Sequence, residues 1–126
     1  MKSPQQQVFD EIFKISLGLG YRTFDYLPAK DEEYPFVFLG EQFDQDIETK
    51  TVVYGLVQQT IHVWGDYRNR RQVTDMMNSL KYEIRRLKHT DNFYITCTSL
   101  RSQTMIDDST GQPLLHGIME VEFRFN

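Results

Sequence analysis

Two stretches of this chain alternate between apolar and polar residues with a period of two. A chain that does this twice must build a sheet with one face buried. In "LVQQTIHVWGDYRNRR" (56–71), Val57, Gln59, Ile61 and Val63 point one way, and Gln58, Thr60, His62 and Trp64 the other. In "LLHGIMEVEFRFN" (114–126), Met119, Val121, Phe123 and Phe125 face in while Glu120, Glu122 and Arg124 face out. The first stretch raises the functional question. His62 and Trp64 sit on the face opposite Val57, Ile61 and Val63, and a turn loaded with arginine follows them.

Helical spacing supplies the layer that covers the sheet. In "RNRRQVTDMMNSLKYEIRRLKH", Val73, Met76, Met77, Leu80, Ile84 and Leu87 fall on one face. Burying all six is worth on the order of 10 kcal/mol before the cost of ordering. Arg85, Arg86 and Lys88 suit the negative end of that helix. An earlier helix starts with Ser3 as N-cap and Pro4 at its first position, carries Val8, Ile12, Ile15 and Leu19 on one face with Phe9 and Phe13 beside them, and stops at Gly18 and Gly20. "YRTFDYLP" reads as a short strand. "FVFLGEQFDQDIETKTVVYGLVQQTIHVWGD" reads as a long hairpin with an acidic tip that reaches beyond the globule. "NFYITCTSLRSQTMI" and the terminal strand make a second strand pair. The expected class is α+β, in the order α-β-β-β-α-β-β, with a mostly antiparallel sheet and two helices on one face. With 126 residues, 40% of them apolar and 25% charged, residues 1–126 fit one domain with a core that needs no staple.

The net charge of −4 and a pI near 5.3 argue against general polyanion binding, which draws on a local excess of Lys and Arg. That excess is confined to Arg68, Arg70 and Arg71, with Arg85, Arg86 and Lys88 further on. Cys97 is the one cysteine, so no intrachain disulfide and no all-cysteine zinc site can form. It sits mid-strand and reads as a buried, inert thiol. No apolar run approaches the roughly 18 residues of a membrane span. The N-terminus lacks the pattern of a signal peptide, and a cytoplasmic site of synthesis is expected.

Catalytic and metal motifs do not emerge. His62, His89 and His116 lack the i, i+4 spacing of a helical metal pair. His62 is mid-strand, His89 ends a helix and His116 precedes the last strand. No G-x-S-x-G elbow is present. "GLGYRT" follows a helix rather than a strand and reads as a helix stop, not a phosphate loop. "DQDIETK" alternates Asp44, Asp46 and Glu48, but position six from Asp44 is Thr49, where a calcium loop needs glycine. "DDSTGQ" is a turn. The chain is expected not to be an enzyme and to hold no metal or cofactor. Trp64 and Tyr67 beside Arg68, Arg70 and Arg71 leave two readings open: a platform for single-stranded nucleic acid, or a contact with another subunit, where Trp and Arg are favoured anchors.

The segment from Tyr34 to Ile84 resembles a known family. Pro35 and Phe36, Leu39 to Gln42 ("LGEQ"), Thr49 and Lys50, and Gln59 to Trp64 ("QTIHVW"), followed by a basic turn and helix, are similar to small tail completion or tail terminator proteins of long-tailed phages and prophages of Gram-positive bacteria. The resemblance implies the fold of the lambda-type tail terminator. It also implies a structural role without catalysis or cofactor. A hexameric ring would sit on the last ring of the tail tube, stop tube growth and offer a surface for joining the head. The ring could come apart to monomers in dilute solution. The partners implied are the chain itself, the tail tube protein and a neck or head-completion protein, with DNA passing through untethered and no membrane involved. The place implied is the head-proximal end of the virion tail, after assembly in the host cytoplasm. A related neck or head–tail connector remains the alternative.

On this reading His62 and Trp64, with Tyr67, Arg68, Arg70 and Arg71 at the rim, are expected at an interface between subunits. The tip with Asp44, Asp46, Glu48 and Lys50, and the loop with Asp107 and Asp108, are expected to project. One or both would line the lumen, where acidic groups repel DNA, or touch the ring below.

Overall fold

A computed structural model describes residues 1–29, 31–49, 53–109 and 111–126. The elements are helix α1 (Pro4–Gly18), strands β1 (Thr23–Phe24), β2 (Phe36–Glu48) and β3 (Val53–Asp66), helix α2 (Arg70–Arg85), and strands β4 (Ile95–Asp107) and β5 (Leu114–Phe125). The α-β-β-β-α-β-β order and the α+β class are as the sequence implied.

The strands form one sheet in the order β1-β2-β3-β5-β4. β1 pairs with β2 in parallel, and every other pairing is antiparallel. Because β3 and β4 both run against β5, they are parallel to one another. The segment β3-α2-β4 is therefore a crossover with β5 inserted between its strands.

Local chemistry sets the helix ends. Ser3 Oγ accepts the Gln6 backbone N–H at 3.2 Å, with Pro4 in the first turn. At the other end Gly20 takes φ +88°. The Tyr21 N–H bonds the Ser16 carbonyl and the Gly20 N–H that of Leu17, a Schellman stop that needs glycine at the left-handed position. Asn69 caps α2 through the Gln72 N–H at 3.3 Å.

Both helices pack on the same face of the sheet. There Val8 and Ile12 of α1 and Val73, Met76, Met77, Leu80 and Ile84 of α2 meet Val37, Leu39, Val57, Ile61, Val63, Leu115, Met119, Val121 and Phe123. The inward residues read from both alternating stretches are buried, and so are five of the six on α2. Leu87 lies past the helix end but packs against the core. Gly117 permits the close approach of α2, since a Cβ there would lie 2.4 Å from Met77 Sδ. Among the described residues no helix is long and apolar enough to cross a membrane.

Several details differ from the sequence reading. α2 ends at Arg85, so His89 lies beyond it, in an isolated bridge with Tyr94. β5 begins at Leu114, so His116 is inside the strand rather than ahead of it. Asp44, Asp46 and Glu48 belong to β2 itself and not to a turn; Lys50 lies outside the described residues. Cys97 is only partly buried, and desolvation raises its thiol pKa. In the "DDSTGQ" segment the Ser109 N–H bonds Asp107 Oδ1 and the Gly111 N–H bonds the Asp108 carbonyl, with Gly111 at φ +86°; Thr110 lies outside the described residues.

Candidate functional site

The two phrases "LGEQ" and "QTIHVW" meet in space. Leu39 pairs with Ile61 and Gln42 with Gln59, so β2 carries one extra residue across Gly40 and Glu41. Such a bulge turns backbone carbonyls out of the ladder. Gln59 answers them. Its side chain is fully buried, and Nε2 reaches the carbonyls of Gly40 at 3.2 Å, Glu41 at 3.3 Å and Thr60 at 2.9 Å. Gln59 Oε1 accepts from Gln42 Nε2 at 3.2 Å, which also donates to the Gln5 carbonyl on α1 at 3.0 Å. A polar residue on the apolar face is thereby explained: it plugs the bulge and ties it to α1.

The bulge aims Glu41 at the open face of the sheet, where five side chains form a ladder. Glu41 Oε1 accepts from His62 Nε2 at 2.9 Å, and His62 Nδ1 lies 2.8 Å from His116 Nε2. Phe38 stacks on His62 with centroids 5.4 Å apart, and Trp64 lies flat on His116 at 3.8 Å and 10°. Gly40 leaves room for this ring, since a Cβ there would lie 3.0 Å from His62 Nε2. Burial, and then the neighbouring His62, pull the His116 pKa down to about 4, so that ring is neutral at pH 7. The hydrogen bond from His62 holds the Glu41 carboxyl below the usual carboxylate range. Its charge makes Glu41 the acceptor and His62 Nε2 the donor.

A Glu–His–His chain could move a proton, but moving one to useful effect needs a reacting group at its end. Among the described residues no hydroxyl or thiol is hydrogen-bonded to either ring, and an indole closes the stack. Hydrogen bonds and ring stacking hold the ladder on the open face. Trp64 is partly exposed, while its Nε1–H is buried with no acceptor among the described residues. Beside it Leu27, Tyr34, Phe36 and Leu114 line a groove of about 420 Å³.

The rim expected around Trp64 is only partly assembled. Tyr67 is 48% exposed, and Arg68 spans its ring at 5.7 Å. The Arg68 guanidinium forks onto Asp66 at 3.2 and 3.0 Å, which lowers the Asp66 pKa and raises that of Arg68. Arg70 is exposed at the start of α2. Arg71 points elsewhere. It pairs with Asp75 at 3.7 Å and lines a different groove with Gly20, Tyr21 and Pro35. The sequence reading named Glu41 only within a phrase of the resemblance, Gln59 there and in the alternation of its strand, and His116 only as a histidine without a metal-spaced partner, and placed none of them at this site. The strict alternation of β5, carried back through Gly117, places His116 on the face of Trp64.

The acidic segments separate as well. Residue Asp46 pairs with Gly55, Gly55 with Phe125 and Phe125 with Ile95, one row across the sheet. Asp66, Leu114 and Asp107 form a row at the opposite end. Asp44, Asp46 and Glu48 therefore lie toward one end of the molecule and Asp107 and Asp108 at the other. Among the described residues no group of three or more His, Cys, Asp or Glu side chains is placed to hold a metal ion.

No family model matches the chain. A curated relative does: tail completion protein gp17 of Bacillus phage SPP1 is 29% identical over 103 residues, 79% of this chain and 73% of that one. The solved structure of SPP1 gp17 superposes with a TM-score of 0.64 at 24% identity, covering 99% and 93% of the two chains. The chain is similar in sequence to this tail completion protein and shares its fold. The same fold is found in a chain in the virion of a native gene transfer agent particle, with a TM-score of 0.68 at 11% identity, over 98% and 94% of the two chains. These two superpositions speak for the fold. The sequence likeness rests on the match to the curated relative.

Proposed function

We propose that this chain completes a phage tail as a structural protein of the virion. It closes as a ring, hexameric in our reading, on the last ring of the tail tube, stops tube growth and presents its other side to the neck. The observation that carries the reading is the match to the SPP1 tail completion protein over 79% of the chain. The geometry supports it. The β2–β3 and β4–β5 hairpins turn at opposite ends of one sheet, which gives the body one contact end for the tube and one for the neck.

In this reading the protein is one domain and not an enzyme, takes no cofactor, and assembles in the host cytoplasm into the head-proximal end of the tail. His62 and Trp64, with Tyr67 and Arg68 beside them and Arg70 and Arg71 on the next turn, contact a neighbouring copy or partner. Trp on an open sheet face is the residue type that anchors such contacts. Asp44, Asp46 and Glu48, or Asp107 and Asp108, face the lumen, where their charge keeps passing DNA from binding.

Electron microscopy of particles lacking the protein tests the role. Overlong tails that fail to join heads are expected. Tails of normal length that stay unjoined would point instead to a neck adaptor, and normal joined particles would rule out both.

A further inference from the structure

We infer that copies of this chain join edge to edge, with β4 of one copy pairing antiparallel with the distal half of β2 in the next, so that the sheet continues across the subunit boundary. The inference rests on the proposed ring and adds the contact that closes it.

Both edges are largely open among the described residues; on β4 the Lys88 carbonyl takes the outward N–H of Ile95, and the strand beyond it has no outer partner. β1 covers β2 only at Val37 and Phe38, which leaves the outer side of Gly40 to Glu48 open. β4 is the other outermost strand and is 13 residues long. A long open edge is a template for another strand. Strand direction alternates from β2 through β3 and β5 to β4. A second copy set beside the first, with its helices on the same side, therefore meets β4 with its own β2 in antiparallel sense. The row through Asp46, Gly55, Phe125 and Ile95 sets the level, and the rows that follow Ile95 along β4 continue into the neighbour. Level pairing brings Thr96 opposite the neighbour's Gln45, both on the open face, and Cys97 opposite Asp44 on the helix side.

Charge selects this arrangement. The open stretch of β2 carries Glu41, Asp44, Asp46 and Glu48 and no basic residue. Near the start of β4 lies the end of α2: the Ile95 N–H bonds the Lys88 carbonyl, and Arg85 and Lys88 act electrostatically on Cys97. Neither side chain forms an ion pair among the described residues. Arg101, further along β4, is engaged by Glu120 at 2.8 Å. Pairing β2 with β2 would oppose acid to acid, and pairing β4 with β4 would crowd the basic ends of α2. Pairing β4 with β2 brings Arg85 and Lys88 to the helix side, where Asp44 and Asp46 lie. A contact between two different patches, repeated, closes into a ring.

The test is a pair of cysteines, Gln45→Cys with Thr96→Cys, in a Cys97→Ser background on the full chain, assembled on purified tail tubes and mildly oxidised. Opposed residues of an antiparallel pair have Cβ atoms about 5 Å apart, within reach of a disulfide. A ladder of covalent oligomers on a denaturing gel is expected from the double variant and from neither single one. Cross-linking by either single variant would mean like-with-like pairing and overturn the inference. Rings visible in the microscope without a ladder would overturn the edge contact and leave the ring reading standing. The absence of rings on tubes would remove both. Asp44→Lys with Asp46→Lys should cut the ladder at least about ten-fold, and adding Arg85→Glu with Lys88→Glu should restore it.

Discussion

The two faces of the sheet use opposite means to place their side chains. On the helix face Ile61, Val63, Leu80 and Val121 are sealed at 0% exposure and held by close packing alone. On the other face Glu41 is exposed and His62, His116 and Trp64 partly so, and hydrogen bonds and ring stacking hold them. The first face makes the fold. The second holds a preset shape toward whatever it meets. Stability and assembly should therefore respond to different residues.

The largest expected effect lies on the sealed face. Leu80→Ala should lower unfolding stability by about 3 kcal/mol, the usual cost of an unfilled core cavity, read by chemical denaturation. A loss under about 1 kcal/mol would mean that α2 contributes little to the core. The bulge comes next. Gln59→Leu keeps the volume but leaves the carbonyls of Gly40 and Glu41 without their donor, and should cost about 2 kcal/mol. An equal or greater stability would show that the bulge needs no plug.

The histidine ladder sets the third effect. The His116 pKa falls from 6.5 to about 4 on folding, so between those values the unfolded chain binds more protons than the folded one. This contribution is complete above about pH 6.5, is lost progressively as pH falls, and levels off below about pH 4. With allowance for solvent screening of a half-buried ring, it amounts to about 1–2 kcal/mol. Denaturation midpoints followed from pH 7 to pH 4 should show this slope, and His116→Gln should flatten it. An unchanged slope in that variant would assign the pH dependence to other groups.

Much of the sealed face was legible in the chain because packing follows period. Val57, Ile61 and Val63 alternate, and Val73, Met76, Met77, Leu80 and Ile84 recur at helical spacing. The open face was legible only in part. Trp64 and His62 stood out as residue types in an unusual place. Their partners did not, because contacts between β2, β3 and β5 join positions far apart in sequence. The bulge was hidden for a related reason, since one extra residue in β2 shows only when β3 is laid beside it. The acidic residues were visible, but their separation to opposite ends depends on the crossover that inserts β5 between β3 and β4.

The smallest expected effect on stability bears most directly on function. Arg70 is exposed and Arg71 makes one long, solvent-exposed pair with Asp75. Exposed ion pairs contribute little, so Arg70→Ala with Arg71→Ala should change unfolding stability by less than about 0.5 kcal/mol. If these arginines meet a neighbouring copy or partner, the same variant should lose assembly on tail tubes, measured by co-sedimentation, while its melting curve stays in place. Arg71 lines the groove by the end of α1 rather than the face of Trp64, so Trp64→Ala provides the counterpart. If both variants weaken assembly, partners grip the body from two sides. If only Trp64→Ala does, the contact is confined to the open face and the arginines are solvated caps on α2. If neither does, the open face is not an assembly surface, and the free edges of β2 and β4 are left as the place where copies meet.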